Sequence, residues 1–472
     1  MSQESNEKVF VFDGKKMSIF GNQENIEQCI VDLYNEEFDI SSFENKSIKE
    51  ELNQVIYELG FEWDPLSEQG YMRFRPYAVS MMEAMKQYIW NLVSGFCNKI
   101  DIPIQKIEGG ELYSMNNPNI NKHTALAAAS MMYGENMLMV TGGASEQILR
   151  FSGCCNKLGM LQSKKIKCSD LPTGIFEISK SYRFEKKERL NYCERVRCFH
   201  LPELHIATTG LDESIKIFLS AHDYIVEHIR SLGYDFVLMC SATEEFINNN
   251  MDFIQTLNQS NSHQMMIVIT SSGDVCENGI QFDVEYKAIT SYGGFMEIAT
   301  LQVDAGDSDF AYGITYDNKP ISTIHAVLFA SIERAIYSIV DRCIYNKMNN
   351  ISYSLPAWIA PVQCRIITKD NNAISEAINL RAELTSRFIR CEIDDREISY
   401  NEKISDKMIN LCPIVIIVDG NNNVKYQIYN SFNHEITYCT KEYIFEYISE
   451  HLETNGIIIP FYAAYRLSNR IL

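Results

Sequence analysis

Apolar residues recur at helical spacing after Pro76: Met81, Met82, Met85, Tyr88, Ile89, Leu92, Val93 and Phe96 fall on one broad stripe, which predicts a long amphipathic helix that packs into a core. The same period predicts helices over 47–59, 211–232 and 331–343. Strand patterns fall elsewhere: KVFVFDG near the N-terminus, then 235–241, 264–270, and paired antiparallel strands across 280–304 around Tyr286 and 292–294. After the loop 349–354 the order changes to strand 364–368, helix 373–388, strand, helix, strand 414–418 and a closing helix near 441–451. Alternation of that kind predicts a separate α/β unit with a partly parallel sheet. The chain therefore reads as an α+β domain built on an antiparallel sheet, followed by an α/β domain.

Size and composition agree with that division. A chain of 472 residues, 46% of them hydrophobic, buries more than one core. The N-terminal MSQESNEKVFVFDG has no apolar leader region, and the longest apolar runs, such as 414–418 and 456–459, fall far short of a membrane span. A soluble, cytoplasmic protein with no membrane partner is expected. The 14 cysteines contain no C-x-x-C pair, which argues against zinc ribbons and a disulfide framework; most read as small buried hydrophobes. A formal net charge of -20 counts against a broad nucleic-acid surface, though a local basic patch is compatible with it.

Chemistry concentrates in SYRFEKKERLNYCERVRCFHLPELH, residues 181–205. Arg183 and Glu185 are two apart, as are Arg195, Arg197 and Phe199, then Glu203 and His205; in extended strands each set shares a face. With the polar loop 186–191 between them, the two runs predict an antiparallel hairpin whose floor carries cations, an aromatic plane and acceptors. A nucleotide has the complementary shape. The alternative is a solvated, charge-rich hairpin.

This segment resembles motif 2 of class II aminoacyl-tRNA synthetases, and its continuation to His205 resembles threonyl-tRNA synthetases of the archaeal type. The likeness begins at FDISSFENKSIKEEL, firms at GFEWDPLSEQGYMRFRP, and runs to the terminal RLSNRIL. It implies a short N-terminal extension (1–60) in place of an editing domain, a class II catalytic domain (61–348) and a class IIa anticodon-binding-like α/β domain (353–472) that opens at LPAWIAPVQCRII. It also implies roles. Arg183 grips the ATP α-phosphate, Glu185 accepts from the adenine amino group, Arg195 reaches the terminal phosphate and Phe199 stacks on adenine. SIERAIY resembles motif 3, whose Arg334 clamps ATP from the opposite side; Mg2+ accompanies the nucleotide. LRFSGC, PELH and STIHAVLFASIER resemble the segments that supply zinc ligands, here Cys154 (with Cys155 as the neighbouring alternative), His205 and His325. Three ligands leave a fourth position open, where the family's zinc takes the amino group and hydroxyl of threonine. Glu203 and Gln302 match amino-acid positions and Glu297 an ATP position; for Gln302 and Glu297 a plain strand-ladder role is the alternative.

Several positions depart from the family. Glu203 replaces an Asp that accepts the threonine hydroxyl, Ala299 and Ala330 replace glycines, and Asn278 stands at an aromatic position. Ile107 stands where the motif 1 dimer interface ends in Pro, so a homodimer is expected with part of its signature missing. In the C-terminal domain, Asn421 to Asn423 and Ser405 stand where the family carries charged residues, which weakens the tRNA surface. The reading is ATP-dependent activation of an amino acid, threonine first, with transfer to tRNA. Transfer to a small molecule or carrier protein is one alternative, and a non-catalytic sensor of amino acid or tRNA is another.

Overall fold

The computed structural model describes residues 8–21, 25–38, 40, 44–121, 137–142, 146–269, 280–304, 313–421 and 426–471. Asn278, Asn422 and Asn423 lie outside them. Two compact units result, one from Met1–Lys46, Glu68–Tyr71 and Ile89–Ala335, the other from Ser47–Ser67, Met72–Tyr88 and Ile336–Leu472.

The first unit is built on a ten-stranded sheet. In chain order its strands are β1 (Lys8–Phe12), β2 (Met17–Ile19), β3 (Ile104–Lys106), β4 (Thr173–Tyr182), β5 (Cys198–Thr208), β6 (Phe236–Ala242), β7 (Met265–Ile269), β8 (Ile280–Ile289), β9 (Phe295–Asp304) and β10 (Ser322–Val327). Their spatial order is β2-β1-β7-β6-β8-β9-β10-β5-β4-β3. Every neighbouring pair is antiparallel except β6 with β7 and β3 with β4. Apolar alternation sets the two faces. Leu204 and Ile206 of β5 and Ile324 and Ala326 of β10 are buried, and the helix α4 (Leu211–Ser231) packs on these strands and on β9 through a face that includes Phe218, Ile225 and Ile229. Glu203, His205 and His325 alternate with those residues and so face away from the helix.

Helix α1 (Gln28–Glu37) covers the β1 end of the sheet, burying Ile30 and Leu33 with Val9, Val11, Val237 and Met266. Helix α2 runs from Pro76 to Lys99 and buries Met81, Met82, Met85, Ile89, Val93 and Phe96, as its apolar stripe requires. Among the described residues no helix is long and apolar enough to cross a membrane.

In the second unit a five-stranded sheet has the order β12-β11-β13-β14-β15, where β11 is Cys364–Thr368, β12 Cys391–Asp394, β13 Ile414–Val418, β14 Tyr426–Tyr429 and β15 Ile436–Cys439. The first three strands are parallel and the last two antiparallel. Ile414, Ile416 and Val418 pack with Leu380, Leu384, Ile444 and Ile448 on one side, while Val415 and Ile417 pack with Tyr77, Ile409 and Cys412 on the other. A strand covered on both faces explains the uninterrupted apolar run IVIIV.

Three expectations need correction. The helix predicted over 331–343 runs on to Met348, and the one predicted over 373–388 divides into a 3-10 turn (Asn371–Ala373) and a helix ending at Thr385. The hairpin is also less regular than predicted: β4 stops at Tyr182 and β5 starts at Cys198, so Arg183, Glu185, Arg195 and Arg197 lie in the connection and not within the strands. The Arg183 N–H still donates to the Arg197 carbonyl at 2.9 Å. Beyond that pair, Cys193 bends the chain with a positive φ of 57°, and the Arg197 guanidinium takes the Glu185 carbonyl (3.0 and 2.9 Å) and the Glu68 carboxylate (2.8 Å). Side chain to backbone bonds thus replace the ladder beside Arg197, and backbone pairing returns between Asn191 and Arg195.

Candidate nucleotide and metal site

A cleft of about 280 Å³ opens beside the connection and strands β8, β9 and β10. Its lining includes Arg183, Glu185, Arg195, Phe199, Glu297 and Arg334, six of the residues singled out in the sequence. The Arg183 guanidinium lies 5.2 Å from the centroid of Phe199, and its Nε donates to the Phe151 carbonyl at 3.2 Å. Arg195 is half exposed and donates through Nε to Glu185 at 3.1 Å. The guanidinium of Arg334 reaches the connection from the first turn of α5 (Ile332–Met348): Nε donates to the Glu194 carbonyl at 2.9 Å, and Nη1 to the Glu297 carbonyl at 3.1 Å. Three guanidinium groups and one aromatic ring therefore converge on a single concave space.

A break in strand regularity helps to shape it. The register between β8 and β9 shifts at Ile298, so Glu297 and Thr300 project to one face although three positions apart. Thr300 donates to Glu297 at 2.6 Å. Burial opposes the charge on Glu297, but Arg334 and then Lys287 hold its carboxyl below the ordinary range. Glu285 lies on the same wall; burial and the nearby Glu297 raise its pKa against the pull of Lys287.

Deeper, His325 connects the cleft to a second cluster. Cys154, at the start of α3 (Cys154–Gln162), His205 on β5 and His325 on β10 place their donor atoms within 4.8 Å of one another. His205 and His325 occupy paired positions of neighbouring strands, and their rings stack at 4.6 Å. His205 Nε2 lies 3.2 Å from the Cys154 sulfur. His325 turns Nδ1 to the Gln302 side-chain oxygen at 2.9 Å, which leaves the lone pair on Nε2. That Nε2 is buried and hydrogen-bonded to nothing among the described residues; Glu203 Oε1 approaches it at 3.4 Å without a hydrogen bond. Burial first, then His325 and Lys157, keep His205 well below its usual pKa, hence neutral. Burial pushes the Cys154 thiol up to about 12, aided by Glu203. Two imidazoles and a thiol at this spacing fit a zinc ion, whose binding would displace the thiol proton. Cys155 packs with Tyr113, Ile148 and Phe151, and the cluster contains Cys154.

Glu203 is buried and already engaged. Its Oε2 accepts from Lys157 Nζ at 2.8 Å and Ser179 Oγ at 3.2 Å. Burial opposes its charge, yet Lys157 and next His325 hold it well below the usual carboxylate range. Ala299 and Ala330 line the cleft, as does Gln302. Two residues that sequence reasoning passed over complete the arrangement. Glu333, 1% exposed, accepts the His200 N–H at 2.9 Å and meets His200 Nδ1 at 2.7 Å, which fixes the chain beside Phe199. Lys157, wholly buried, pairs with Glu203. Glu333 sits between Ser331 and Arg334 in a legible motif, whereas Lys157 gave no signal beyond its place three residues after Cys154.

No family model matches the chain. It is similar to archaeal proteins described as threonine–tRNA ligase. That of Staphylothermus marinus is 30% identical over 376 residues, covering 78% of this chain and 58% of its own length. The Nanoarchaeum equitans protein is 28% identical over 419 residues, 88% of this chain and 62% of its own length. The chain thus spans about three-fifths of the curated relatives it matches. Among solved structures, the one titled as the RNA binding domain of threonyl-tRNA synthetase from Cryptosporidium parvum Iowa II has a TM-score of 0.68, covering 85% of this chain and 98% of that one. At 15% sequence identity that likeness shows the fold.

Proposed function

We propose that this chain, which resembles archaeal-type threonyl-tRNA synthetases over most of its length, activates an amino acid with ATP, threonine first, and passes the acyl group to tRNA. One observation carries the reading: Arg183, Arg195 and Arg334 line one cleft with Phe199 and Glu185, and His325 joins that cleft to the Cys154, His205 and His325 cluster.

The chemistry follows from charge placement. An oxygen of the substrate carboxylate attacks the α-phosphorus, the bond to the β-phosphate oxygen breaks, and pyrophosphate leaves. Negative charge grows on the α-phosphate oxygens, where Arg183 and Arg334 stand as permanent, bidentate cations. Arg195 takes the terminal phosphate, while Phe199 and Glu185 hold adenine by stacking and by accepting from its amino group. Anchoring of Arg334 to two carbonyls fixes it before substrate arrives, so little is lost to reorganisation. Glu285 and Glu297 line the cleft and would offer hard oxygen donors to a Mg2+ ion carried with the nucleotide. A zinc ion on Cys154, His205 and His325 supplies, when bound, a Lewis-acidic open position for an amino group and a hydroxyl. Gln302 would hold His325 in the ligating tautomer, and Glu203 presents a carboxylate oxygen 3.4 Å from His325 Nε2. The proposal keeps a catalytic domain over 61–348, an anticodon-binding-like domain over 353–472, and a homodimer.

Arg183→Ala and Arg334→Ala should each lower threonine-dependent ATP–pyrophosphate exchange by about 100-fold or more, the scale of a lost transition-state donor. Exchange at the wild-type rate in both variants would refute the assigned roles.

A further inference from the structure

Resting on that reading, the geometry points to Lys157 as a positioning residue for amino-acid recognition: with Gly153 and Ser179 it holds the Glu203 carboxylate in one orientation, Oε1 toward His325 Nε2, so that Glu203 and Lys157 form a matched pair.

Lys157 sits in the first turn of α3, where a cation opposes the helix dipole and is disfavoured. It is nevertheless 0% exposed. A cation so placed needs buried anions, and two are present: Glu203 Oε2 at 2.8 Å and Glu177 Oε2 at 3.6 Å. Its Nζ also donates to the Gly153 carbonyl at 3.1 Å. Glu177 is balanced in turn by Arg150 at 2.9 Å, itself 2% exposed. Arg150, Glu177, Lys157 and Glu203 make a charge-neutral buried chain that ends beside His325. Arg150, Lys157, Glu177 and Glu203 are absent from the cleft lining, and the chain approaches the cleft at His325, 3.4 Å from Glu203.

Space is matched as well as charge. A Cβ on Gly153 would stand 1.9 Å from Glu203 Oε2 and 2.7 Å from both Lys157 Nζ and Ser179 Oγ, so the longer carboxylate fills the volume that any side chain at 153 would occupy. Oε2 is thus saturated by Lys157 and Ser179, and Oε1, 3.4 Å from His325 Nε2, is the oxygen left for a substrate hydroxyl or ammonium proton. The family's shorter Asp at this position could not span from Lys157 to that point. Glu203 is then a requirement of this chain's own pocket and not a tolerated substitute.

The pairing is tested in the full chain with Glu203→Asp, Ser179→Ala and Lys157→Met, reading KM for threonine and for ATP in pyrophosphate exchange, and zinc content of the purified protein. Glu203→Asp, although it restores the family residue, should raise the threonine KM about tenfold or more while the ATP KM stays within about twofold and zinc content is unchanged. Ser179→Ala should raise the threonine KM by about threefold, and Lys157→Met by at least as much as Glu203→Asp. Should Lys157→Met fail to fold, the first two variants, which keep the buried charges balanced, decide. Glu203→Asp activity equal to or above wild type, or equal shifts in both KM values, would overturn the pairing. A wild type that neither exchanges with threonine nor binds it in calorimetry would overturn the functional reading itself.

Discussion

Single residues carry most of what the sequence revealed about this site, and single residues are also where it was silent. Arg183, Glu185, Arg195, Phe199 and Arg334 were legible as candidates because their segments resemble motifs 2 and 3, and they line one cleft. Gln302 was readable as either a substrate contact or a ladder residue; its side-chain oxygen lies 2.9 Å from His325 Nδ1. Lys157 was invisible because a lysine in a helix is ordinarily solvated, and only packing shows that this one is not. Glu333 belongs to the same class. Its buried carboxylate is the partner of the half-buried His200 N–H, so Glu333→Ala should cost about 1–3 kcal/mol of stability and raise the ATP KM several-fold, through the backbone beside Phe199. Denaturant titration and ATP-dependent kinetics check both parts; an unchanged ATP KM would contradict the second.

Elements were predicted well where periodicity alone decides them, and poorly where side chains replace the ladder. Strands 364–368 and 414–418 and the helix 441–451 match their observed limits, since apolar runs and capping residues such as Thr440 mark their ends. The connection from Arg183 to Arg197 did not, because the Arg197 bonds to the Glu185 carbonyl draw the backbone out of pairing. The bulge at Ile298 left no mark in the residue pattern either. One tertiary link between elements is pH-sensitive. His263, before β7, bridges Glu27 at the start of α1 (2.7 Å) and Asp235 before β6 (2.8 Å). Burial works against its charge, but Asp235 and Glu27 outweigh that and raise its pKa above the ordinary 6.5. A raised folded-state pKa stabilises at pH below the unfolded value, and the gain is lost as pH climbs through the folded one. The melting temperature of His263→Gln should therefore fall below wild type by more near pH 6 than near pH 9; an equal deficit at both would contradict the clamp.

At the scale of the whole molecule, the sequence pattern anticipated an antiparallel-sheet unit and a partly parallel α/β unit, because burial on one face or on both writes different apolar patterns into strands. The placement of β1 was less legible: it pairs with β7, across more than two hundred intervening positions, and no local pattern encodes a pairing so remote. The proposed function draws on the first unit's cleft and cluster, where positioning and fixed charge would do the chemistry without a protein nucleophile. The most direct measurement is ATP–pyrophosphate exchange by the wild-type chain across the amino acids. Threonine should support exchange, and valine, which offers no hydroxyl, should support it less by about two orders of magnitude or more. Absence of exchange with threonine, serine and their close analogues would contradict the account.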